Sequence, residues 1–320
     1  MKNVRTLSRN AKNLAISFSK SLRTFQSIDG RPREASFPFI SGDTYRGLAH
    51  YYFDLEFWSR YRRGTHLMST SPPRQGDVVF VECILLRDVR VEDLILEWLG
   101  EFDSVSSLRF VFGNGDEPPR ESFRKELIHR GHLVYSHNVL DGEIGVTPIP
   151  LGLQNATHRK FGVLNDFLLY RDILRNPPRQ QAPRPRRVFG SFSVGSNEQE
   201  RGSLRTALEN SRFGFTSAGQ SVRTNRQQVL GAKFVPSPAG LGPDCYRTWE
   251  AIYLGAIPVI RKGTIASSIT QDLPIWEVDD WEELMEAGDG ELDERYLELS
   301  QISTDKALFP YWSQVINHSP

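Results

Sequence analysis

Apolar positions along the chain keep two rhythms. Short β-branched or aromatic runs at 78–81, 108–112, 133–135, 188–190, 234–235 and 257–260 predict buried strands. Between them, apolar residues return every three or four positions and predict helices over 91–99, 122–129, 155–174, 198–208 and 245–254. Gly100, Gly131 and Gly255 stand where three of these should end. Such alternation predicts an α/β fold, with mostly parallel sheets carrying helices on both faces. The rhythm breaks after Asn176-Pro177-Pro178, where a polar run rich in proline and arginine cannot build a core and reads as a linker. The pattern restarts beyond it. The chain thus divides into a first domain (1–175), a linker (176–187), a second domain (188–305) and a closing segment (306–320) whose Phe309-Pro310-Tyr311-Trp312 should pack back on the first domain. Two Rossmann-like domains facing a cleft are expected.

The first 25 residues follow another pattern. Val4, Leu7, Ala11, Leu14, Phe18, Leu22 and Phe25 would share one face of a helix whose other face is basic and serine-rich. That combination suits peripheral contact with an anionic membrane surface, or packing on the body of the protein. The acidic stretch 277–298, with apolar Trp281, Leu284, Leu292 and Leu297, predicts one or two solvated helices.

Composition narrows the classes. Lys plus Arg balance Asp plus Glu at 39 each, so no net charge points to nucleic acid. Two cysteines, Cys83 and Cys245, with no Cys/His cluster, argue against a disulfide framework or structural zinc and suit a cytoplasmic setting. No apolar run approaches the ~18–20 residues of a membrane span.

The chemistry concentrates in residues 233–260. A strand feeds a turn containing Gly240 and Gly242, and a helix is expected from near Asp244. Glycines there let backbone N–H groups approach an anion, and the helix N-terminus adds a favourable dipole. Arg247 and Glu250, three apart, share a helical face. The arginine can fork onto a pyrophosphate, and the carboxylate can accept hydrogen bonds from ribose hydroxyls. The same pattern also fits Asp244 as a helix cap and Arg247–Glu250 as a surface ion pair.

The run Ser237–Gly242, Arg247–Ala251 and Gly255–Val259 resembles the donor-binding segment of exostosin-like glycosyltransferases and their ribitol-xylosyltransferase-type relatives: a proline-glycine loop, an Arg-x-x-Glu-Ala helix, then Gly-x-Ile-Pro-Val. The run 189–197 with Arg201 resembles the first strand–loop–helix of the same donor domain. The resemblance covers residues 188–263, about a quarter of the chain. It implies a GT-B fold and metal-independent inverting transfer from a nucleotide-diphosphate sugar such as a UDP-sugar; the first domain matches only loosely, so the acceptor is not implied, and a glycan or glycolipid is expected there. It implies donor contacts from Arg201, Gly240, Gly242, Arg247 and Glu250, with no cofactor. The absence of any Asp-x-Asp triplet agrees with a metal-free site.

Inverting transfer needs a base from the opposite domain. Asp43, expected on a loop with Gly42, is the first candidate. Asp116, closing Gly113-Asn114-Gly115-Asp116 at a strand end, is the second, and His137 the third. The residues 148–155 are placed to line the cleft. Two other readings stay open: a non-catalytic nucleotide- or glycan-binding module of the same fold, and a dehydrogenase. The dehydrogenase predicts a Gly-x-Gly-x-x-Gly after a strand, and none follows 78–81, 108–112 or 188–190.

Overall fold

The computed structural model describes residues 36–62, 72–102, 105–155, 167, 184–217 and 219–318. The amphipathic stretch 4–25 and, apart from Asn155 and Phe167, the helix expected over 155–174 lie outside them.

In the first domain, α1 (Gly42–Gly47) is followed by β1 (Tyr51–Phe53), α2 (Leu55–Arg62), β2 (Val78–Glu82), α3 (Val89–Gly100), β3 (Arg109–Gly113), α4 (Glu121–His129), β4 (Leu133–Ser136) and β5 (Val146–Pro148). The second contains β6 (Arg186–Val188), α5 (Glu198–Asn210), α6 (Val222–Leu230), β7 (Ala232–Pro236), α7 (Tyr246–Tyr253), β8 (Ile257–Arg261), α8 (Ser267–Thr270), β9 (Trp276–Val278), α9 (Trp281–Glu286) and α10 (Asp289–Leu299). The last helix is α11 (Phe309–His318).

Both sheets are parallel, and strands run in sequence order, β1 to β5 and β6 to β9. The strand alternation decides what covers each face. Val79, Val81, Phe110, Phe112 and Val134 meet Ile95 and Trp98 of α3 and Phe123 and Leu127 of α4. Helices α3 and α4 connect strands that are neighbours in both sequence and space, and crossovers of one hand bring both to the same face. The alternate residues, Val78, Phe80, Val111 and Tyr135, join a second core with Phe39, Tyr45, Phe309 and Trp312. That face is therefore covered by segments from the two ends of the described chain. Phe309 N donates to the Pro38 carbonyl at 2.9 Å, and Phe39 forms a β-bridge with Leu308.

The second sheet buries Val188, Phe234, Val259, Trp276 and Val278 against α5, α9 and α10. Its other face lies on Trp249, Ile252 and Tyr253 of α7, which belong to the same core as the first sheet's Val78 and Phe80. Each of these large side chains is worth about 1.5–3 kcal/mol on burial. Tyr253 also ties the elements together: its hydroxyl donates to the Ala307 carbonyl at 2.7 Å and accepts from Ile40 N at 3.2 Å. The two sheets share one apolar core.

Two expectations change here. The four-strand sheet begins inside the expected linker, since Arg186 pairs with Ala232. Arg184 is buried, and its guanidinium donates to the carbonyls of Val229, Ala232 and Leu254. Backbone pairing and these bonds recruit a charged sequence that lacks apolar alternation. The acidic stretch forms two helices as expected, α9 and α10, after the end of β9, but Trp281, Leu284 and Leu292 are buried in the core of the second sheet, while Leu297 is exposed.

Candidate functional site

Helix α7 begins after the turn that leaves β7. It stops as a Schellman motif: Gly255 N donates to Ile252 O, Ala256 N donates to Ala251 O, and Gly255 holds φ +75°. The first turn of α7 stands at the carboxyl end of the second sheet and meets the carboxyl end of the first. Asn138, just past β4, accepts from Asp244 N on Oδ1 (3.1 Å) and donates through Nδ2 to the Asp116 carbonyl (2.9 Å). Asp244 accepts from Leu151 N (2.8 Å) and from the Trp249 indole (2.8 Å). The stretch 148–155 therefore lies along this seam. Asp244 is not the helix cap: Cys245 occupies that position, and the Asp244 carboxylate turns into the seam, 4% exposed. Burial pushes its pKa up to about 6, against the pull of the Leu151 and Trp249 donors.

The expected donor residues sort into two kinds. Arg201, in α5, is spent on the loop. Its Nε donates to the Ala239 carbonyl (2.8 Å), Nη2 to Pro238 O (3.1 Å), and Nη1 to Ser193 O (2.9 Å) and the Ser196 hydroxyl. It is 6% exposed. Its first role is to hold the proline-glycine turn from beneath. Gly240 likewise does not offer a free amide, because its N–H donates to Gly242 O at 2.9 Å. Gly242 is needed for close approach: a Cβ there would lie 2.6 Å from the Asp116 carbonyl and 2.7 Å from Asn138 Nδ2. The expected anion cradle is thus a packed turn.

Arg247 and Glu250 are the second kind. Arg247 makes no hydrogen bond or ion pair with any described residue; its guanidinium lies 5.6 Å from the Phe192 ring centroid. It is close enough to Arg201 that, after burial, its charge is the next cause lowering the pKa of that guanidinium. Glu250 forms its ion pair with Arg226 rather than with Arg247. Arg226 of α6 reaches its Oε1 at 3.8 Å, while the Arg226 guanidinium lies over Phe167. Burial raises the Glu250 pKa, and first Arg226, then Arg247, oppose the rise. Two arginines and one carboxylate therefore stand together at the start of α7.

The three candidate bases separate clearly. Asp43 lies in the first turn of α1, not on a loop, and is 2% exposed. Its amide donates to Asn155 Oδ1 at 3.0 Å. The capping box of Ser41 and Thr44 extends helix into the segment where Gly42 suggested a loop. His137 is also buried, with Nδ1 2.9 Å from Phe112 O and Nε2 2.6 Å from Gly115 O. It braces the 113–116 loop, and burial lowers its pKa. Asp116 alone presents an open carboxylate: its side chain is 46% exposed and 3.5 Å from Arg87. It also faces α7, since its charge is, after burial, the largest cause raising the Tyr246 pKa.

One titratable group escaped the sequence reading. Glu82 closes β2 and accepts from Leu55 N and from Asn114 Nδ2, both at 2.8 Å. Asn114 in turn accepts from Asn155, so the chain of bonds reaches the amide of Asp43. Burial, then the neighbouring Asp54 charge, pushes the Glu82 pKa up to about 7. The usable signal was a carboxylate placed immediately after a buried strand. Arg226 carried no comparable signal.

Among the described residues, no group of three or more His, Cys, Asp or Glu side chains is arranged to hold a metal ion, and no helix is long and apolar enough to cross a membrane. The chain matches no family model and no curated protein.

Proposed function

We propose that the chain is a glycosyltransferase of GT-B type that draws its sugar from a nucleoside-diphosphate donor. The observation that carries the reading is Arg247. A half-buried arginine, without a hydrogen-bond partner among the described residues, stands in the first turn of a helix where the carboxyl ends of two parallel sheets meet. A guanidinium and a helix N-terminus together suit a pyrophosphate. Glu250, one turn on, suits the ribose hydroxyls, with Arg226 beside it opposing the rise in its pKa that burial causes.

In the proposed step the acceptor oxygen bonds to the anomeric carbon as the bond from that carbon to the β-phosphate oxygen breaks. Asp116 takes the acceptor's proton, because it is the exposed carboxylate facing α7 across the seam. The departing nucleoside diphosphate keeps the electron pair and its charge beside Arg247. Arg201 supports this indirectly by fixing the turn that precedes α7.

Calorimetric titration with UDP, GDP, CMP, ADP and NAD, with and without EDTA, tests the reading. Saturable UDP or GDP binding, insensitive to EDTA and lost in Arg247→Ala, is expected. Binding of none of them, or preference for NAD, overturns it. Asp116→Asn should keep nucleotide affinity and lose about 100-fold or more in turnover. Nucleotide binding with no hydrolysis or transfer of any sugar would instead identify a binding module of this fold.

A further inference from the structure

Two buried histidines flank β4, and their partners require opposite protonation states. His132 accepts from Leu108 N on Nδ1 at 3.3 Å, so that nitrogen carries no proton. Burial pushes its pKa down to about 4. His137 faces acceptors instead. Its Nδ1 lies 2.9 Å from the Phe112 carbonyl and its Nε2 2.6 Å from the Gly115 carbonyl. A carbonyl oxygen only accepts, so both contacts are hydrogen bonds only when both ring nitrogens are protonated. A neutral ring would set a nitrogen lone pair against a carbonyl lone pair. At 1% exposure, the ring has little access to water that would relieve the clash.

The two acceptors differ in their freedom. Phe112 lies in β3 and is paired with Ser136 across the sheet. Gly115 lies in the loop beyond, and its carbonyl belongs to the same peptide as the Asp116 N–H. The way that peptide faces therefore sets the chain's path into Asp116, whose own carbonyl accepts from Asn138 and rests against Gly242. Loss of one ring proton falls on the loop rather than on the strand. The neutral ring keeps Nδ1–H on Phe112 and turns a lone pair toward Gly115.

Burial opposes the second proton and lowers the His137 pKa, while the two carbonyls and then the Asp116 charge favour it. The other ionisable groups around the loop act on Asp116 or Asn114. Arg87 is 3.5 Å from the Asp116 carboxylate, Tyr246 of α7 feels its charge, and Glu82 accepts from Asn114 Nδ2.

We propose that His137 is a positioning residue in its imidazolium form, donating to Phe112 and Gly115 at once and so fixing the peptide that leads into Asp116. Raising the pH removes the Nε2 proton, releases the Gly115 carbonyl and lets that peptide turn. The proposal concerns the ring and the loop alone, and it stands whether or not Asp116 is the base of a transferase.

NMR on the isotope-labelled full chain, with no nucleotide or sugar added, tests it. Proton–nitrogen spectra of the histidine rings, taken from about pH 4 to about pH 8, read which ring nitrogens carry protons. Both His137 nitrogens should be protonated at the acid end, and Nε2 alone should lose its proton as pH rises. The midpoint should lie below the ordinary histidine value of about 6.5. The Gly115 and Asp116 amide signals should move with the same midpoint. Asp116→Asn removes the charge that favours the second proton and should shift the midpoint to lower pH. His137→Gln does not titrate and should abolish the movement of the loop signals. Should that variant fail to fold, through-bond transfer from the assigned His137 backbone identifies the ring in the parent chain. A His137 ring with a single proton at every pH would overturn the proposal. So would a ring that titrates while the Gly115 and Asp116 signals stay still.

Discussion

Arg201 and Arg247 illustrate how differently two neighbouring guanidiniums can be used. Arg201 donates to three carbonyls and a hydroxyl, whereas Arg247 makes no hydrogen bond with a described residue and lies by the Phe192 ring. Their alanine variants should therefore fail in different measurements. Arg201→Ala leaves buried carbonyls unpaired and should cost about 3 kcal/mol or more of unfolding free energy, read by denaturant titration. Arg247→Ala should change stability by less than about 0.5 kcal/mol. Equal losses in the two variants would contradict this division of labour. Asp244 gives a pH signature. Its folded pKa of about 6 lies above the ordinary carboxylate value of about 3.9, so the folded state binds the proton more tightly. Its contribution to stability is complete below about pH 4 and is lost as pH rises through about 6, a change on the order of 2–3 kcal/mol. Glu82 acts in the same direction up to about pH 7. Unfolding free energy measured from pH 4 to 7 should fall less steeply in Asp244→Asn than in the parent chain. Parallel curves would show that Asp244 does not titrate in this window.

At the level of elements, the turn between β7 and α7 is set by contacts on both sides. Arg201 holds it from α5, and Gly242 rests against the Asp116 carbonyl of the opposite sheet's loop. An added Cβ would be about an ångström too close to backbone that cannot easily withdraw. Gly242→Ala should destabilise the chain by about 1–3 kcal/mol, as overpacking does, and should weaken nucleotide binding by displacing α7. Denaturation midpoints and calorimetry on the same variant would check both. Unchanged values in both would show that the seam yields. The Gly-x-Gly pattern suggested an anion cradle, but it also satisfies close packing of two loops, and only the neighbour across the seam distinguishes them.

The whole molecule is joined by its shared core. Phe80 of the first sheet, Trp249 and Tyr253 of α7, and Trp312 of α11 belong to one apolar cluster. Domains joined by large apolar contacts do not behave as independent units. Calorimetry should show one unfolding transition whose van't Hoff and measured enthalpies agree. Removing residues 306–320 should abolish it, because Phe309, Trp312 and Ile316 cover the first sheet's inner face. Two separable transitions would refute the shared core.

Local information was enough for much of the framework. Apolar alternation located β2, β3, β4, β7 and β8 within a residue or two, and helical spacing located α3, α4, α5 and α7. It also located Gly255 at a helix end and Arg247 with Glu250 on the first turns of α7. These properties depend on each segment's own need to bury one face. The sequence placed the strand β6 two residues late, at 188–190, because Arg186 is held in it by pairing with Ala232, and it did not reveal α1, which is set by a serine–threonine cap. Nor could it tell which carboxylate is open and which is buried. Asp43, Asp116 and Glu82 all stand near a glycine or a strand end in the sequence. Tertiary packing alone exposes Asp116, buries Asp43 beside Asn155, and raises the Glu82 pKa. Burial and the distance to a neighbouring charge are properties of the folded surroundings, which no local pattern encodes.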